Sequence, residues 1–371
     1  MAIYRTSKEE VQKYFESESI SQSKLKLLLV SGEAFLNVRE PELFFEEKTH
    51  FLIGSAVDDW ITMGDEYFKN NYYVSELETK PSSKVMSIIQ RYYDLVKDFD
   101  VSQMDNETLD DHLFVSICEH EYQSNWKKET RINKVLDEGT PYLLELKGSK
   151  DKTILSQEDF VTISGIVKTL TEHPYTAMYF DIGDNQFSNI DVFYQLPIYF
   201  KFDKIKCKAL LDMVHVDNEV KTITPFDIKT IGDYTKYFDK QSKRRRYDIQ
   251  ASWYTKALEA WRDEHYKDYE ILDFRFIVAS TTQQCDPLVF ETNQFFLDAG
   301  QHGTYTLSQG GTNNNFTKTT CHEHEGWRQL LSKYNWHVEN GFDKDWENTH
   351  NQGHYILSYN YTKKGKYETA T

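Results

Sequence analysis

The chain has 371 residues, of which 39% are hydrophobic, 15% aromatic and 27% charged, and this balance excludes a disordered tail and a fibrous protein. No apolar run approaches the ~18 residues of a membrane helix, so we expect no transmembrane segment. The 43 basic and 59 acidic residues give a formal net charge of −16, which argues against a protein that coats nucleic acid with its whole surface but is compatible with one basic groove.

The cysteines are scattered along the chain without a CxxC pair, at Cys118, Cys207, Cys285 and Cys321. This spacing is not that of a zinc ribbon or of an iron–sulfur protein. The first residues have no basic segment followed by an apolar stretch, so no secretory signal is expected. We therefore expect a cytoplasmic protein with reduced thiols.

Helical patterns dominate the first half of the sequence. Residues 21–30 place Ser23 as an N-cap before leucines at helical spacing, which predicts a short helix. Residues 51–63 predict a second helix, whose small residues 54–56 favour close packing against another element. The segment 65–155 is polar and helical in its periodicity.

A capping box marks the start of the next predicted helix. Ser156 and Asp159 have the spacing of such a box, in which each residue binds the backbone N–H of the other. The helical pattern then runs to about Thr171 and ends before His173 and Pro174.

The period changes from helical to alternating between residues 191 and 229, which is typical of strands. Three runs have this pattern, at 192–200, 205–217 and 220–230. The acidic turn 217–219 joins the last two runs and predicts a hairpin.

Helical spacing returns after Gln241, and a second strand pair is predicted at 273–280 and 287–292. Residues 308–321 have the polar, glycine-rich composition of a loop. A last helix is predicted at 325–340.

Two of the predicted strands carry charged residues with a chemical meaning. Asp212 ends the apolar run 209–211, where a carboxylate is costly unless it is paired or binds a metal ion. Asp227 and Lys229 alternate with Ile228 and therefore project from one face of the next strand. If the two strands pair, both carboxylates can share one divalent cation, and the Ile228 carbonyl could supply a further oxygen.

An all-oxygen site of this kind suits Mg²⁺, with Mn²⁺ as a substitute, better than it suits zinc. Lys229 could orient a water molecule or stabilise charge on a phosphorane-like transition state. Gln250 and Tyr254 are four residues apart and therefore share one face of the following helix. These residues together are candidates for a site that holds a divalent cation.

In this order the residues resemble the PD-(D/E)XK nuclease superfamily. The string LLD at 210–212, the string FDIKT at 226–230 and the QxxxY helix motif are similar to RecB-type nuclease domains, and most similar to the exonuclease VIII (RecE-like) group of phages and prophages. The SxSxLK segment of that group matches residues 21–26. Its GxxxH motif matches 54–58, with Asp58 in place of the histidine.

The resemblance implies an α/β fold with a central mixed β-sheet flanked by helices, built as a single nuclease domain over residues 1–371. It implies a mostly helical part at 1–180, a catalytic sheet and helix core at 181–300, and a C-terminal loop and helix at 301–371.

The activity that the resemblance implies is metal-dependent hydrolysis of phosphodiester bonds at the ends of linear double-stranded DNA, with 5′-to-3′ polarity. It also implies a ring-shaped homo-oligomer that feeds a single-strand annealing protein in phage recombination. The residues expected to bind Mg²⁺ are Asp58, Asp212, Asp227 and, through its carbonyl, Ile228. The residues expected to be catalytic are Asp212, Asp227, Lys229, Gln250 and Tyr254.

A basic run lies between the two groups of motif residues. Residues 235–246 hold six Lys and Arg against one Asp, on a chain that is acidic overall. Clusters of this kind bind phosphate oxygens. The residues expected to grip a nucleic-acid backbone are Lys243, Arg244, Arg245 and Arg246. Three neighbouring aromatic residues could pack on sugars or bases: Tyr234, Tyr237 and Phe238.

Two alternatives remain open from the sequence. The first is an endonuclease or a Cas4-like single-strand processing nuclease of the same superfamily, although the scattered cysteines count against its iron–sulfur members. The second is a catalytically degenerate nuclease fold that binds DNA ends or a recombination protein, for which Asp58 in place of histidine is the warning sign. Taken alone, Asp227 with Lys229 is more often a solvated face of paired strands, and only the ordered set of motifs favours a site.

Overall fold

The computed structural model describes residues 2–38, 48–77, 79–99, 105–150, 152–180, 189–310, 317–346, 349, 359–361 and 367–369. The chain divides into two compact units. The first unit combines Met1–Gly54 with Thr169–Thr371, and the second unit is Ser55–Lys168. None of the helices in these described ranges is both long and apolar enough to cross a membrane.

The helices are α1 (Lys8–Glu16), α2 (Gln22–Lys26), α3 (Gly32–Asn37), α4 (Lys48–Met63), α5 (Asp65–Asn71), α6 (Ser83–Val96), α7 (Asn106–Glu119), α8 (Lys128–Ser149), α9 (Gln157–Glu172), α10 (Phe238–Arg245), α11 (Tyr247–His265), α12 (Gln294–His302) and α13 (Trp327–Asn340). The strands are β1 (Ile3–Arg5), β2 (Tyr72–Val74), β3 (Thr153–Leu155), β4 (Ile190–Phe202), β5 (Ile205–Asp217), β6 (Thr222–Ile231), β7 (Glu270–Ile271), β8 (Arg275–Ser280), β9 (Leu288–Glu291), β10 (Thr304–Gly310), β11 (Thr317–His324), β12 (Tyr359–Tyr361) and β13 (Tyr367–Thr369).

A seven-stranded mixed sheet forms the centre of the first unit. Its strand order is β1-β4-β5-β6-β8-β9, and the short β7 also pairs with β6. The neighbours β4, β5 and β6 are antiparallel, β8 runs parallel to β6, and β9 is antiparallel to β8. The predicted α/β fold with a central mixed sheet flanked by helices is confirmed.

Helix α11 packs on this sheet through residues at helical spacing. Ile249, Trp253 and Ala257 follow one another at intervals of four, and all three are fully buried. Burial of one tryptophan side chain stabilises a fold by about 5 kcal/mol before entropic costs. The indole N–H of Trp253 also donates to the Lys208 carbonyl at 3.0 Å. These contacts with the sheet fix the position of α11 along its axis and its rotation about that axis.

A close approach between α11 and α12 depends on glycine. A Cβ atom at Gly300 would lie 1.9 Å from the backbone oxygen of Asp248. Any larger side chain would push the two helices apart, because the obstructing atom belongs to the backbone.

The second unit is built around helices α6, α7 and α8. Their facing residues form a separate apolar core that includes Ile88, Ile117 and Val135, all of them fully buried. Strands β2 and β3 form a parallel pair beside it. The carboxylate of Glu145 is buried there and accepts hydrogen bonds from the Ser75 hydroxyl, which satisfies its charge in part.

Two of the predicted helix starts can be compared with the structure. The capping box of Ser156 and Asp159 is confirmed, since the Ser156 Oγ accepts from the Asp159 N–H at 3.0 Å and the carboxylate accepts in return. The predicted N-cap Ser23 is wrong. Ser21 caps α2 instead, because its backbone is extended and its hydroxyl accepts from the Lys24 N–H at 3.1 Å.

The predicted loop at 308–321 is also wrong in part. Strands β10 and β11 form an antiparallel hairpin that covers 304–310 and 317–324, and residues 311–316 lie outside the described part of the chain. The threonine-rich sequence of β11 is β-branched and favours a strand. The predicted last helix is confirmed as α13.

Candidate active site

The ladder between β5 and β6 ends where the two predicted acids would meet. Its last pair is Met213 opposite Phe226, and the next pair in the same register would be Asp212 opposite Asp227. Beyond this point β6 is paired with β8 on its other side. Residues directly opposite each other in an antiparallel pair point to the same face, so both carboxylates lie on one face of the sheet.

Each carboxylate is held by neighbours from the same region. Asp212 Oδ2 accepts a hydrogen bond from the Ile228 N–H at 3.0 Å. Asp227 Oδ1 accepts from Gln250 Nε2 at 2.6 Å. Asp227 Oδ2 lies 2.5 Å from Lys229 Nζ, and the Asp227 side chain is completely buried. The structure thus brings together five of the residues that the sequence singled out.

The donor set fits a hard divalent cation. Asp227 Oδ2 is buried, and the Lys229 ammonium lies 2.5 Å from it as its partner. Carboxylate oxygens are the protein ligands that Mg²⁺ and Mn²⁺ prefer. Within the described residues of the first unit, no group of three or more His, Cys, Asp and Glu side chains converges on one point. A cation held by this carboxylate pair would therefore complete its shell with carbonyl, water or phosphate oxygens.

The electrostatics of the pair are those of a site built for added positive charge. Burial, followed by repulsion from Asp227, raises the pKa of Asp212 to about 7. Burial lowers the pKa of Lys229, but attraction to Asp227 and Asp212 outweighs it and leaves that pKa above its usual value. Lys229 is therefore protonated at neutral pH and acts as a cation rather than as a base.

Helix α11 supplies two further side chains from consecutive turns. Gln250 orients Asp227 through the hydrogen bond described above. Burial, followed by the charges of Asp212 and Asp227, raises the pKa of Tyr254, whose phenol also hydrogen-bonds with Gln250. The phenol therefore keeps its proton and can donate it to an oxygen acceptor.

The structure adds Lys26, which was not among the predicted site residues. Burial, followed by repulsion from the Lys229 ammonium, lowers the pKa of Lys26 to about 8. Its Nζ donates one long hydrogen bond, of 3.5 Å, to the Arg245 carbonyl. Two ammonium groups facing one site favour an anion between them. The signal for Lys26 was present in the SxSxLK segment, of which it is the last residue.

For Ile228 and Asp58, the two other predicted metal ligands, the structure shows local hydrogen bonds. Ile228 contacts Asp212 through its N–H, and its carbonyl as a metal ligand stays a prediction. Asp58 lies on α4 in the second unit, where its own carbonyl accepts from the Thr62 hydroxyl at 2.8 Å, and its role as a ligand also stays a prediction.

The close packing expected of the first half of α4 is confirmed. A Cβ atom on Gly54 would lie 3.0 Å from the Thr230 hydroxyl of β6. This distance is shorter than ordinary van der Waals contact, so the glycine lets the helix backbone approach the strand that carries Asp227.

The structure separates the predicted basic residues. Residues 243–245 are exposed at the end of α10. Arg246 is buried between α10 and α11, with a left-handed backbone φ of 54°. Its guanidinium donates to both carboxylate oxygens of Asp248, at 3.0 and 2.9 Å, and to the Glu325 carbonyl at 2.7 Å. Because its guanidinium donates to Asp248 and to the Glu325 carbonyl, Arg246 joins the start of α11 to the segment before α13 rather than gripping a nucleic acid, and that expectation is corrected.

The three neighbouring aromatic residues also differ from one another. Tyr234 and Tyr237 are exposed, whereas Phe238 is buried in the core and stacks on Tyr247 at a centroid distance of 5.6 Å. Phe238 therefore cannot pack on sugars or bases, because α10 turns this side chain inwards.

Comparisons with known proteins add little to this geometry. Neither a protein-family model nor a curated protein matches the chain. Among solved structures, one similar chain is a protein from Eubacterium rectale described as "Putative exonuclease", with a TM-score of 0.40 and 12% identity over 79% of this chain and 80% of that chain.

Proposed function

We propose that this chain is a metal-dependent deoxyribonuclease that acts as an exonuclease on linear double-stranded DNA. The observation that carries the proposal is the meeting of Asp212 and Asp227 beside Lys229 at the point where β5 and β6 stop pairing. The Asp227 carboxylate is fully buried and that of Asp212 is half-buried, so the two repel each other and cost free energy unless a cation joins them. The residues around them supply what phosphodiester hydrolysis needs beyond that cation.

Asp212 and Asp227 are the residues that would hold Mg²⁺ or Mn²⁺. When bound, such a cation would lower the pKa of a water molecule and stabilise negative charge on the phosphate. Gln250 keeps Asp227 in one orientation through its hydrogen bond of 2.6 Å. A carboxylate fixed in this way loses little freedom when it binds, which favours a defined geometry.

The other side chains act on the phosphate. Lys229 and Lys26 present positive charge to one place, where the non-bridging oxygens of a phosphodiester would be stabilised as charge develops on them. The Tyr254 phenol remains protonated and can donate a hydrogen bond to an oxygen of the same group. The exposed basic residues 243–245 lie at the end of α10, the helix before α11, and would bind the backbone further along the DNA.

The finer parts of the proposal rest on the motif resemblance. They are 5′-to-3′ polarity, a ring-shaped homo-oligomer, delivery of single strands to an annealing protein in phage-type recombination, and a cytoplasmic location. Each of these can fail without affecting the chemistry of the site.

The test is a cleavage assay on purified protein. A linear duplex labelled at the 5′ or the 3′ end and a closed circular duplex are incubated with Mg²⁺, Mn²⁺ or EDTA. The variants are Asp227→Ala and Lys229→Ala, with Asp217→Ala as a matched control on the turn at the far end of β5. We expect loss of the linear substrate only, abolished by EDTA and by both site variants, with full activity in the control.

The other outcomes separate the alternatives. Cleavage of the closed circle would keep the chemistry and replace the exonuclease with an endonuclease. No cleavage by the wild type with either metal would overturn the proposal and leave a DNA-end binding module. Release of label from the 3′ end first would overturn the proposed polarity alone.

A further inference from the structure

A short 3₁₀ turn, Thr235–Tyr237, leads from the catalytic strand β6 into α10. It displays two aromatic rings on the surface, because Tyr234 is 45% and Tyr237 is 39% exposed. Aromatic rings carry a large apolar area and are usually buried. Two exposed rings side by side therefore call for an explanation.

The turn that carries these rings is anchored. Thr235, between the two tyrosines, is 2% exposed. Its hydroxyl donates to the Asp286 carbonyl at 2.8 Å, and its backbone N–H donates to the Cys285 sulfur at 3.4 Å. The tyrosines are thus held at the surface by a fixed backbone, and their exposure does not come from a loose end of the chain.

Two lysines accompany the rings. Lys236 Nζ lies 5.5 Å from the ring centroid of Tyr234 and 5.1 Å from that of Tyr237. Lys240 Nζ lies 5.1 Å from the Tyr237 centroid. The group of four residues, Tyr234, Lys236, Tyr237 and Lys240, is called the tyrosine–lysine surface below. It continues into the exposed basic residues 243–245.

The charge of this surface matches a polyanion. Residues 234–245 contain five Lys and Arg and one Asp, a local charge of 5 − 1 = +4 on a protein of net charge −16. Lysines alone would suit a phosphate backbone of any kind. The rings add a preference, since an exposed ring can stack only on a base whose face is open.

We propose that the tyrosine–lysine surface binds an unpaired stretch of DNA by stacking bases on Tyr234 and Tyr237 while Lys236 and Lys240 neutralise its phosphates. In a duplex the base faces are covered by their neighbours, so the surface selects a single-stranded segment. Tyr234 follows Lys229 by five residues, and five residues of fully extended chain span at most about 17 Å. The bound segment therefore lies close to the site of cleavage. This inference rests on the proposed function and adds to it that an unpaired strand is held beside the catalytic carboxylates.

The test is a binding measurement in EDTA, which keeps metal-dependent cleavage out of the result. Fluorescence anisotropy is recorded with a labelled 30-nucleotide single strand and with the corresponding duplex. The variants are the double substitution Tyr234→Leu with Tyr237→Leu, and the double substitution to Phe at the same positions. Tyr199→Leu is the matched control, because Tyr199 is 51% exposed on β4 and belongs to neither surface nor site.

We expect the Leu double variant to lose about 10-fold to 100-fold in affinity for the single strand and less than twofold for the duplex. The Phe double variant, which keeps both rings, should bind like the wild type, as should Tyr199→Leu. Lys240→Gln should weaken binding of both DNAs and reduce the dependence of affinity on salt.

Three results with the wild type or the Leu variant would overturn the inference: no binding of the single strand by the wild type, equal losses for single strand and duplex in the Leu variant, or no loss in that variant at all. If Lys240→Gln lost affinity for the duplex alone, the surface would grip a DNA backbone without stacking bases, and this result would overturn the inference as well. Failure of the proposed function is separate, because a protein that cuts nothing can still show the ring-dependent preference in EDTA.

Discussion

Replacement of Asp212 by asparagine is expected to stabilise the metal-free protein at alkaline pH while it abolishes cleavage. The pKa of Asp212 is raised to about 7, whereas an aspartate in the unfolded chain titrates near 3.9. Between these values the folded state keeps a proton that the unfolded state has released. The contribution of Asp212 to the stability of the wild type therefore falls as pH rises from about 4 to about 7 and stays low above it.

The magnitude follows from the size of this shift. A change of about 3 units corresponds to about 4 kcal/mol of stability at pH 8. Asp212 retains some contact with solvent, so we take this figure as a ceiling and expect a gain of about 2 kcal/mol for Asp212→Asn. The asparagine oxygen can still accept from the Ile228 N–H, which preserves the hydrogen bond of 3.0 Å.

The assay is urea denaturation in EDTA at pH 4.5 and pH 8, with Asp217→Asn as the control on the same strand. Asp212→Asn should gain stability at pH 8 and little at pH 4.5, and the control should change equally at both. Addition of Mg²⁺ at 100 times its Kd should stabilise the wild type by about 2.7 kcal/mol at pH 8 and the variant by almost nothing. A variant that is no more stable than the wild type at pH 8 would refute the idea of repelling buried carboxylates.

Three further predictions concern other parts of the chain. Burial lowers the pKa of Lys26 to about 8, so the wild type should lose cleavage activity above pH 8 as Lys26 loses its proton. Lys26→Arg should keep its activity there. The same pH–rate profile in the wild type and in Lys26→Arg would exclude Lys26 from the site. Burial lowers the pKa of His215 to about 4, so the free energy of unfolding should fall by about 3 kcal/mol as pH falls from 6.5 to 4 and the unfolded chain takes up a proton that the folded chain does not. In urea denaturation His215→Leu should lose less stability on acidification than the wild type. An equal loss would contradict a buried, neutral His215 ring. Gly300→Ala should destabilise the protein by about 2–4 kcal/mol because its Cβ would meet the Asp248 carbonyl. Gly148→Ala, with open space around the added Cβ, should instead stabilise α8 by about 1 kcal/mol. Equal melting temperatures for the two variants would refute the close approach of α11 and α12.

Local signals made most of the fold predictable from the sequence. The capping box at Ser156 and the alternation of residues 205–217 depend on neighbours within a few positions, and the structure reproduces both. The strand pair itself was predictable, but its register was not. A turn at 217–219 would pair residue 216 with residue 220 and place Asp212 opposite Thr224, whereas the connection in the structure is 218–221 and pairs Asp217 with Thr222. In that register the next pair beyond Met213 and Phe226 would be Asp212 and Asp227.

What could not be predicted depends on contacts far apart in sequence. Arg246 has the composition of a surface residue, and only its contact with the Glu325 carbonyl, 79 positions away, shows why it is buried. Phe238 and Tyr237 are adjacent, and only the core beneath α10 decides which one turns inwards. The SxSxLK segment marks Lys26 in the sequence, but only the packing of α2 against α11 shows that this lysine reaches the site.

The central claim is that the Asp212 and Asp227 pair cuts DNA with the help of a divalent cation. The most direct measurement is the single-turnover rate of cleavage of an end-labelled linear duplex in Mg²⁺, compared between the wild type, Asp227→Asn and the control Asp217→Asn. We expect Asp227→Asn to be at least about 100-fold slower than the wild type and the control to cleave at the wild-type rate. Cleavage by Asp227→Asn within a few-fold of the wild-type rate would contradict the claim, because it would place the chemistry away from this pair of strands.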